Sequence, residues 1–219
     1  MKYKGPIHVV QAGLDKSNEY AFLVEGVNPE TGRGKGAHPL PFNWQKFGLG
    51  RDDDRVFYHG IEPHPESYQR LVERFGDRKN QKYYNIAVSH TNDDIEIDDF
   101  RRRHYRLHKD KGAKIKVISR TIEGFFQDAG IDHCHLLVLH IEGWEYEALK
   151  AYQGKVPIDF MIVALHPKEN PVTRKSYEHS CTVEVFESLC EEKGFKITAR
   201  FASNGGNTLD YHLERAEDK

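Results

Sequence analysis

The segment His135-Leu136-Leu137-Val138-Leu139-His140-Ile141 is the most apolar stretch of the chain, and it limits the possible folds more than any other. A strand with one wet face alternates apolar and polar residues; near-continuous apolar text requires cover on both faces. The segment therefore predicts a central parallel strand. Parallel neighbours need crossovers, usually helical. Ile7-His8-Val9-Val10-Gln11-Ala12, Val56-Phe57-Tyr58-His59-Gly60-Ile61, residues 82–89 and Ile158-Asp159-Phe160-Met161-Ile162-Val163-Ala164-Leu165 read as the other strands. Between them, helical spacing groups Tyr68, Leu71, Val72 and Phe75 behind Pro65, which suits a helix start. Ile122, Phe125 and Phe126 mark a second helix, residues 144–152 a third stopped by Gly154, and Val185, Phe186, Leu189 and Cys190 a last one capped by Gly194. Residues 18–24 read as a short helix. Residues 196–201 and 208–213 form a hairpin around Ser203-Asn204-Gly205-Gly206, and Ile95 and Ile97 predict hairpin strands.

The length of 219 residues fits one domain, 1–219, better than two. Charged residues make up 30% of the chain, yet twelve Phe, eleven Tyr and two Trp supply one core and argue against disorder. A net charge of -2 gives the molecule no general attraction for nucleic acid or an anionic membrane, and no apolar run reaches spanning length. Cys134, Cys181 and Cys190 are odd in number and lack Cys-x-x-Cys spacing, which predicts reduced thiols. With no apolar leader stretch in Met1-Lys2-Tyr3-Lys4-Gly5-Pro6, a cytoplasmic location is expected. The oligomeric state is open.

Residues 26–54 collect Pro29, Gly32, Gly34, Gly36, Pro39 and Pro41, too long an insert for an ordinary connection. Phe42, Trp44 and Phe47 within it suit a lid that stacks on a ligand, or anchors that tie the loop to the core.

In an open parallel sheet, ligands bind beyond the carboxyl ends of the strands. That singles out Gly13, Glu62, residues 87–89, residues 140–145 and His166. A carboxylate ending the second strand can accept both hydroxyl hydrogens of a ribose; Glu62 also suits the bland role of an acid favoured by a helix N-terminus. His140 and His166 are suited to general-base work near neutral pH, and His140 equally to a simple hydrogen bond with Glu142. His140, Glu142 and His166 are ligand types, but nothing in their spacing demands a metal, and none is expected. His133 and His135 share a strand face while the Cys134 thiol points away, a packing arrangement. The basic run from Arg101 to Lys116 reads as a solvated hairpin, or as a grip on a phosphorylated acceptor.

Four segments resemble the FkbM methyltransferase family. Glu62-Pro63-His64-Pro65 is similar to its acid-Pro-x-Pro element, and Asn85-Ile86-Ala87-Val88-Ser89 to its third-strand signature. Thr121-Ile122-Glu123 resembles its Thr-Ile-Asp helix start, and Ile141-Glu142-Gly143-Trp144-Glu145 its Val-Glu-Gly-x-Glu element. The resemblance implies a class I methyltransferase, a Rossmann-like α/β fold with a seven-stranded, mostly parallel sheet in the order 3-2-1-4-5-7-6 and helices on both faces. It implies S-adenosylmethionine as cofactor and O-methylation of a hydroxyl, typically on a sugar or other small acceptor. By the same resemblance, Gln11, Gly13 and Asp15 belong to the turn under the methionine part, Glu62 and Pro63 to the ribose side, and Ile86 and Ala87 to the adenine. His140, Glu142 and His166 would face the reaction, with Glu145 facing or orienting its walls. The chain departs from the family at Gln11-Ala12-Gly13-Leu14-Asp15-Lys16-Ser17, where a second glycine is missing, and at His140 and Ala164, where acids are usual. Those departures keep a second expectation open, a catalytically inactive binding module on the same fold.

Overall fold

The structure, a computed structural model, describes residues 5–14, 54–76, 79–98, 114–169, 177, 179–203 and 208–216. The helix expected at 18–24, the insert at 26–54, Asp15 and most of the basic run lie outside them. Eleven strands occur in chain order among the described residues: β1 (Ile7–Ala12), β2 (Val56–Ile61), β3 (Gln81–Tyr84), β4 (Ala87–Val88), β5 (Ile95–Asp98), β6 (Lys114–Val117), β7 (Ser119–Arg120), β8 (Cys134–Leu139), β9 (Ile158–Leu165), β10 (Phe195–Ser203) and β11 (Thr208–Arg215). The helices are α1 (Pro65–Phe75), α2 (Ile122–Ala129), α3 (Glu145–Ala151) and α4 (Val183–Glu192).

Seven strands make the main sheet, in the order β10-β11-β9-β8-β1-β2-β3. Counted along the chain this is the expected 3-2-1-4-5-7-6. β3, β2, β1, β8 and β9 run parallel, and β11 is antiparallel to both β9 and β10. β8 lies at the centre with all six residues buried, as its apolar text requires. β1 pairs with β2 on one side and with β8 on the other, so the order of strands reverses between β1 and β8. In open sheets of this kind the ligand crevice lies at such a reversal, outside the carboxyl ends of the strands.

Each face of the sheet has its own apolar cluster. α1 contributes Leu71 and Phe75 to one, with Ile7, Val9, Tyr58 and Leu136. α2, α3 and α4 cover the other with Phe125, Phe126, Leu149, Phe186 and Leu189. Pro65 occupies the first turn of α1, and Thr121 caps α2 by accepting from Gly124 N at 3.0 Å. Two expectations need correction. Val72 is 39% exposed, and the inward stripe of α1 runs through Ser67, Leu71 and Phe75. Residues 82–89 are two strands in different sheets. The Asn85 amide donates to the carbonyls of Glu62 and Pro63, each at 2.9 Å, and ties the chain to the end of β2. Beyond that tie Ala87 bonds Ile118 O, and β4 pairs with β7 instead of prolonging the main sheet.

The α2 side of the sheet carries a row of histidines. His133 and His135 stack at 4.3 Å, His135 Nδ1 accepts from His8 N, and His8 Nδ1 lies 3.1 Å from His59 Nε2. His59 Nδ1 is in turn 3.1 Å from the Tyr84 hydroxyl, with the Phe125 ring edge-on to both. Burial pushes His59 down to about 3, helped by His8 and Lys82, and His135 down to about 4. All three cysteines are buried free thiols, and burial raises Cys181 and Cys190 to about 12, which leaves them protonated and unreactive. Among the described residues no helix is long and apolar enough to cross a membrane.

Candidate active site

Gly13 joins the ends of β1, β2 and β8. Its φ is +85°, its N–H donates to Ile61 O at 3.0 Å, and a Cβ there would lie 1.8 Å from His140 O. His140 N bonds Ala12 O at 3.0 Å, so the two backbones touch at the carboxyl end of the sheet. Gly13→Ala combines left-handed strain with overlap against backbone and is expected to cost about 2–4 kcal/mol. Urea denaturation checks this; an unchanged midpoint would mean the β1 and β8 ends part without penalty.

Glu62 is buried beside this turn. Its Oε2 accepts from Leu14 N at 3.2 Å and its Oε1 from His64 N at 2.8 Å. Both readings of this acid meet here: the carboxylate takes the amide of the residue that caps α1, and it also lies between the ends of β1 and β2. Pro63 follows it, Ile86 is half-buried against the main core, and Ala87 is buried in β4. Gln11 is enclosed within β1, where its side-chain oxygen accepts from the Tyr58 hydroxyl at 2.8 Å. The strand ends thus gather Gly13 and Glu62, while Gln11 faces the α1 side.

The chain leaves β8 through a turn made of two left-handed residues, Glu142 at φ 54° and Gly143 at φ 102°. This turn aims two amides at Glu145, the first residue of α3, which is wholly buried. Glu145 Oε1 accepts from Ile141 N at 2.9 Å, and Gly143 N lies 3.1 Å from Oε2. The same Oε1 is 3.0 Å from His166 Nδ1, just past β9. A carboxylate already receiving two amides is met by an imidazole N–H, so Nδ1 carries the proton and Nε2 the lone pair. That Nε2 is 3.7 Å from Glu142 Oε2, His140 Nε2 is 3.8 Å from Glu142 Oε1, and the two imidazole centres are 5.3 Å apart. The structure therefore brings together the three residues singled out for chemistry, on two strand-end segments, the exit of β8 and the exit of β9.

Sequence reasoning gave Glu145 only a general place in the walls; its isolation in the first turn after Glu142-Gly143 was the available signal. It missed the covering residues. The Tyr177 ring lies 4.8 Å from that of His166 and so close to Gly143 that a Cβ there would collide with it. Ser180 donates its hydroxyl to His166 O. Trp144 is stacked between His179 at 3.8 Å and His90 at 5.6 Å. These contacts depend on long-range approach and leave no periodic trace.

The family model of the methyltransferase FkbM domain matches residues 36–197. The chain belongs to the FkbM methyltransferase family. No curated protein matched. Among solved structures, the chain is similar to the CMeT domain of the citrinin polyketide synthase, at 7% identity and a TM-score of 0.50 over 98% of this chain and 47% of that one. It is also similar to the CurJ carbon methyltransferase, at 8% identity and a TM-score of 0.50 over 99% of this chain and 50% of that one. The FkbM-family chain spans about half the length of these two, and at such identities the likeness speaks to the fold, a class I methyltransferase sheet.

Proposed function

We propose that this FkbM-family protein transfers a methyl group from S-adenosylmethionine to a hydroxyl of a small acceptor, a sugar or glycan precursor by family resemblance. The observation that carries the reading is the His140–Glu142–His166 cluster beside the Gly13 turn, at the carboxyl ends of β1, β8 and β9. Bound S-adenosylmethionine supplies an electrophilic methyl carbon. The residues present fit that cofactor: Gly13 offers bare backbone, the Glu62 carboxylate borders the crevice, and Pro63, Ile86 and Ala87 add apolar surface. A hydroxyl is a poor nucleophile until its proton is taken, and the cluster provides imidazoles for that, with Glu142 close enough to stabilise an imidazolium. Holding the acceptor in line contributes as much as the base.

Calorimetry with S-adenosylhomocysteine tests the cofactor half. Wild type should bind, and Glu62→Ala should lose about 1.5–3 kcal/mol of affinity by removing a charged hydrogen-bond acceptor. No binding by a folded wild type would favour the inactive module. A panel of sugars and nucleotide-sugars with radiolabelled methyl donor tests the other half. On an acceptor found there, His140→Ala should lose about 100- to 10,000-fold in rate while still binding cofactor. Wild-type turnover by that variant would remove His140 from the chemistry.

A further inference from the structure

We propose that His140, Glu142 and His166 bind a divalent first-row transition cation. One donor atom from each lies within 4.8 Å of the other two. The separations of 3.8 and 3.7 Å to the two oxygens of Glu142 are too long for hydrogen bonds. They are close to what an ion requires: ligands about 2.0–2.2 Å from a metal stand roughly 3–3.5 Å from one another. Because the three donor atoms stand within 4.8 Å of one another, a closing movement on the order of 1 Å completes the set.

The second observation is His166 itself. Its side chain is 1% exposed, and its Nε2 is a buried nitrogen with no hydrogen-bond partner among the described residues. A buried polar atom is normally satisfied, and this one carries its lone pair toward the cluster. The opposite nitrogen is held by the buried Glu145 carboxylate at 3.0 Å. Carboxylate to imidazole N–H, with the other nitrogen on the ion, is how metal-binding histidines are fixed in tautomer and orientation. Two imidazoles and one carboxylate suit manganese, cobalt or zinc better than magnesium or calcium, and three protein ligands leave positions open for a reactant. The Glu142 side chain is 56% exposed, so an ion can enter from solvent.

His133, His135 and Asp159 also bring three donors together, at the other end of the sheet. There two of the three donors are already bonded to each other, and among the described residues no buried carboxylate fixes the remaining imidazole as Glu145 fixes His166. His133 Nε2 bonds Asp159 Oδ1 at 2.8 Å, and His135 Nδ1 takes the His8 amide.

The role of the ion rests on the methyltransferase reading, although its binding does not. A hydroxyl coordinated at an open position loses its proton more readily: the O–H bond breaks, the electron pair stays on oxygen, and the proton passes to water. His140 then acts as a ligand, and the cation takes over the activation of the acceptor.

The test is titration of chelator-treated protein with Co2+, followed by visible absorption and calorimetry, beside a separate S-adenosylhomocysteine titration. The expected result is one equivalent bound by wild type, with affinity reduced at least tenfold in Glu142→Gln and in His140→Asn. Glu142 is exposed, so its amide variant keeps the fold, which the thermal melt verifies. Absence of saturable binding in wild type, or wild-type affinity in both variants, overturns the site. Co2+ binding without S-adenosylhomocysteine binding leaves the site standing and sinks the methyltransferase reading; the reverse pattern does the opposite.

Discussion

Glu145→Ala should destabilise the protein by about 3–5 kcal/mol, the range for removing one partner of a buried charged network, and should abolish whatever the strand-end cluster does. The truncation strips acceptors from Ile141 N, Gly143 N and His166 Nδ1 at once, in a place without solvent access. Each orphaned donor then carries its own desolvation penalty. The turn that presents Glu142 also loses what offsets its left-handed backbone, so damage reaches the cluster without touching it. Urea denaturation measures the first effect. Glu145→Gln, which keeps an acceptor oxygen, should recover part of the stability. If the alanine variant unfolds at the wild-type midpoint, Glu145 does not organise the turn.

Acid should unfold the protein through the histidine row. His59 and His135 titrate near 3 and 4 in the fold, against about 6.5 in an unfolded chain. Their native values are depressed, so the stability linked to their neutrality is complete above pH 6.5. It drains as pH falls toward those native values, because the unfolded chain takes up protons that the fold refuses. Each histidine contributes a slope of about 1.4 kcal/mol per pH unit within that window. Allowing for structural relaxation, the pair is expected to remove about 3 kcal/mol by pH 4.5. Burial sets the sign, and the groups facing them add to it: His8 and Lys82 oppose a charge on His59, and His133 opposes one on His135 more than Asp159 favours it. His59→Leu should make the acid limb shallower by close to one proton, even if stability at neutral pH falls because Tyr84 loses a partner. Denaturation midpoints between pH 4 and 8 decide it, and an equally steep limb in that variant would exonerate His59.

Much of the architecture was legible because burial writes itself into composition. The unbroken apolar text of β8 required a covered central strand, Pro65 announced a helix start, Ile122, Phe125 and Phe126 marked another helix, and the glycine-rich link between β10 and β11 announced a hairpin. Residues 82–89 misled because apolar content persists past Tyr84, while the event that ends β3 is a side-chain bond from Asn85 to the end of β2. Val72 misled because helical spacing defines a stripe but not its centre. At the candidate site, strand-end placement was enough to name Glu62, His140, Glu142 and His166. How they are organised was not. Glu145 reads as one more helix-start acid until the fold buries it, and the closeness of His140 to His166 depends on β8 and β9 pairing in register. The family likeness added the cofactor, which periodicity could never have supplied.

The position of β11 has a consequence for the order in which the sheet can be assembled. It is the last strand among the described residues, yet it lies inside the sheet, between β9 and β10. While the polypeptide is being made, β9 has emerged and one of its edges must wait for a partner about forty residues further on. β10 emerges sooner but belongs one place further out, and pairing it directly with β9 would leave no room for the strand that follows. Correct closure is therefore a late event, possible only when β11 is free to enter as one arm of its hairpin with β10. Until then the chain exposes the kind of unpaired, apolar border at which nascent proteins meet chaperones or one another.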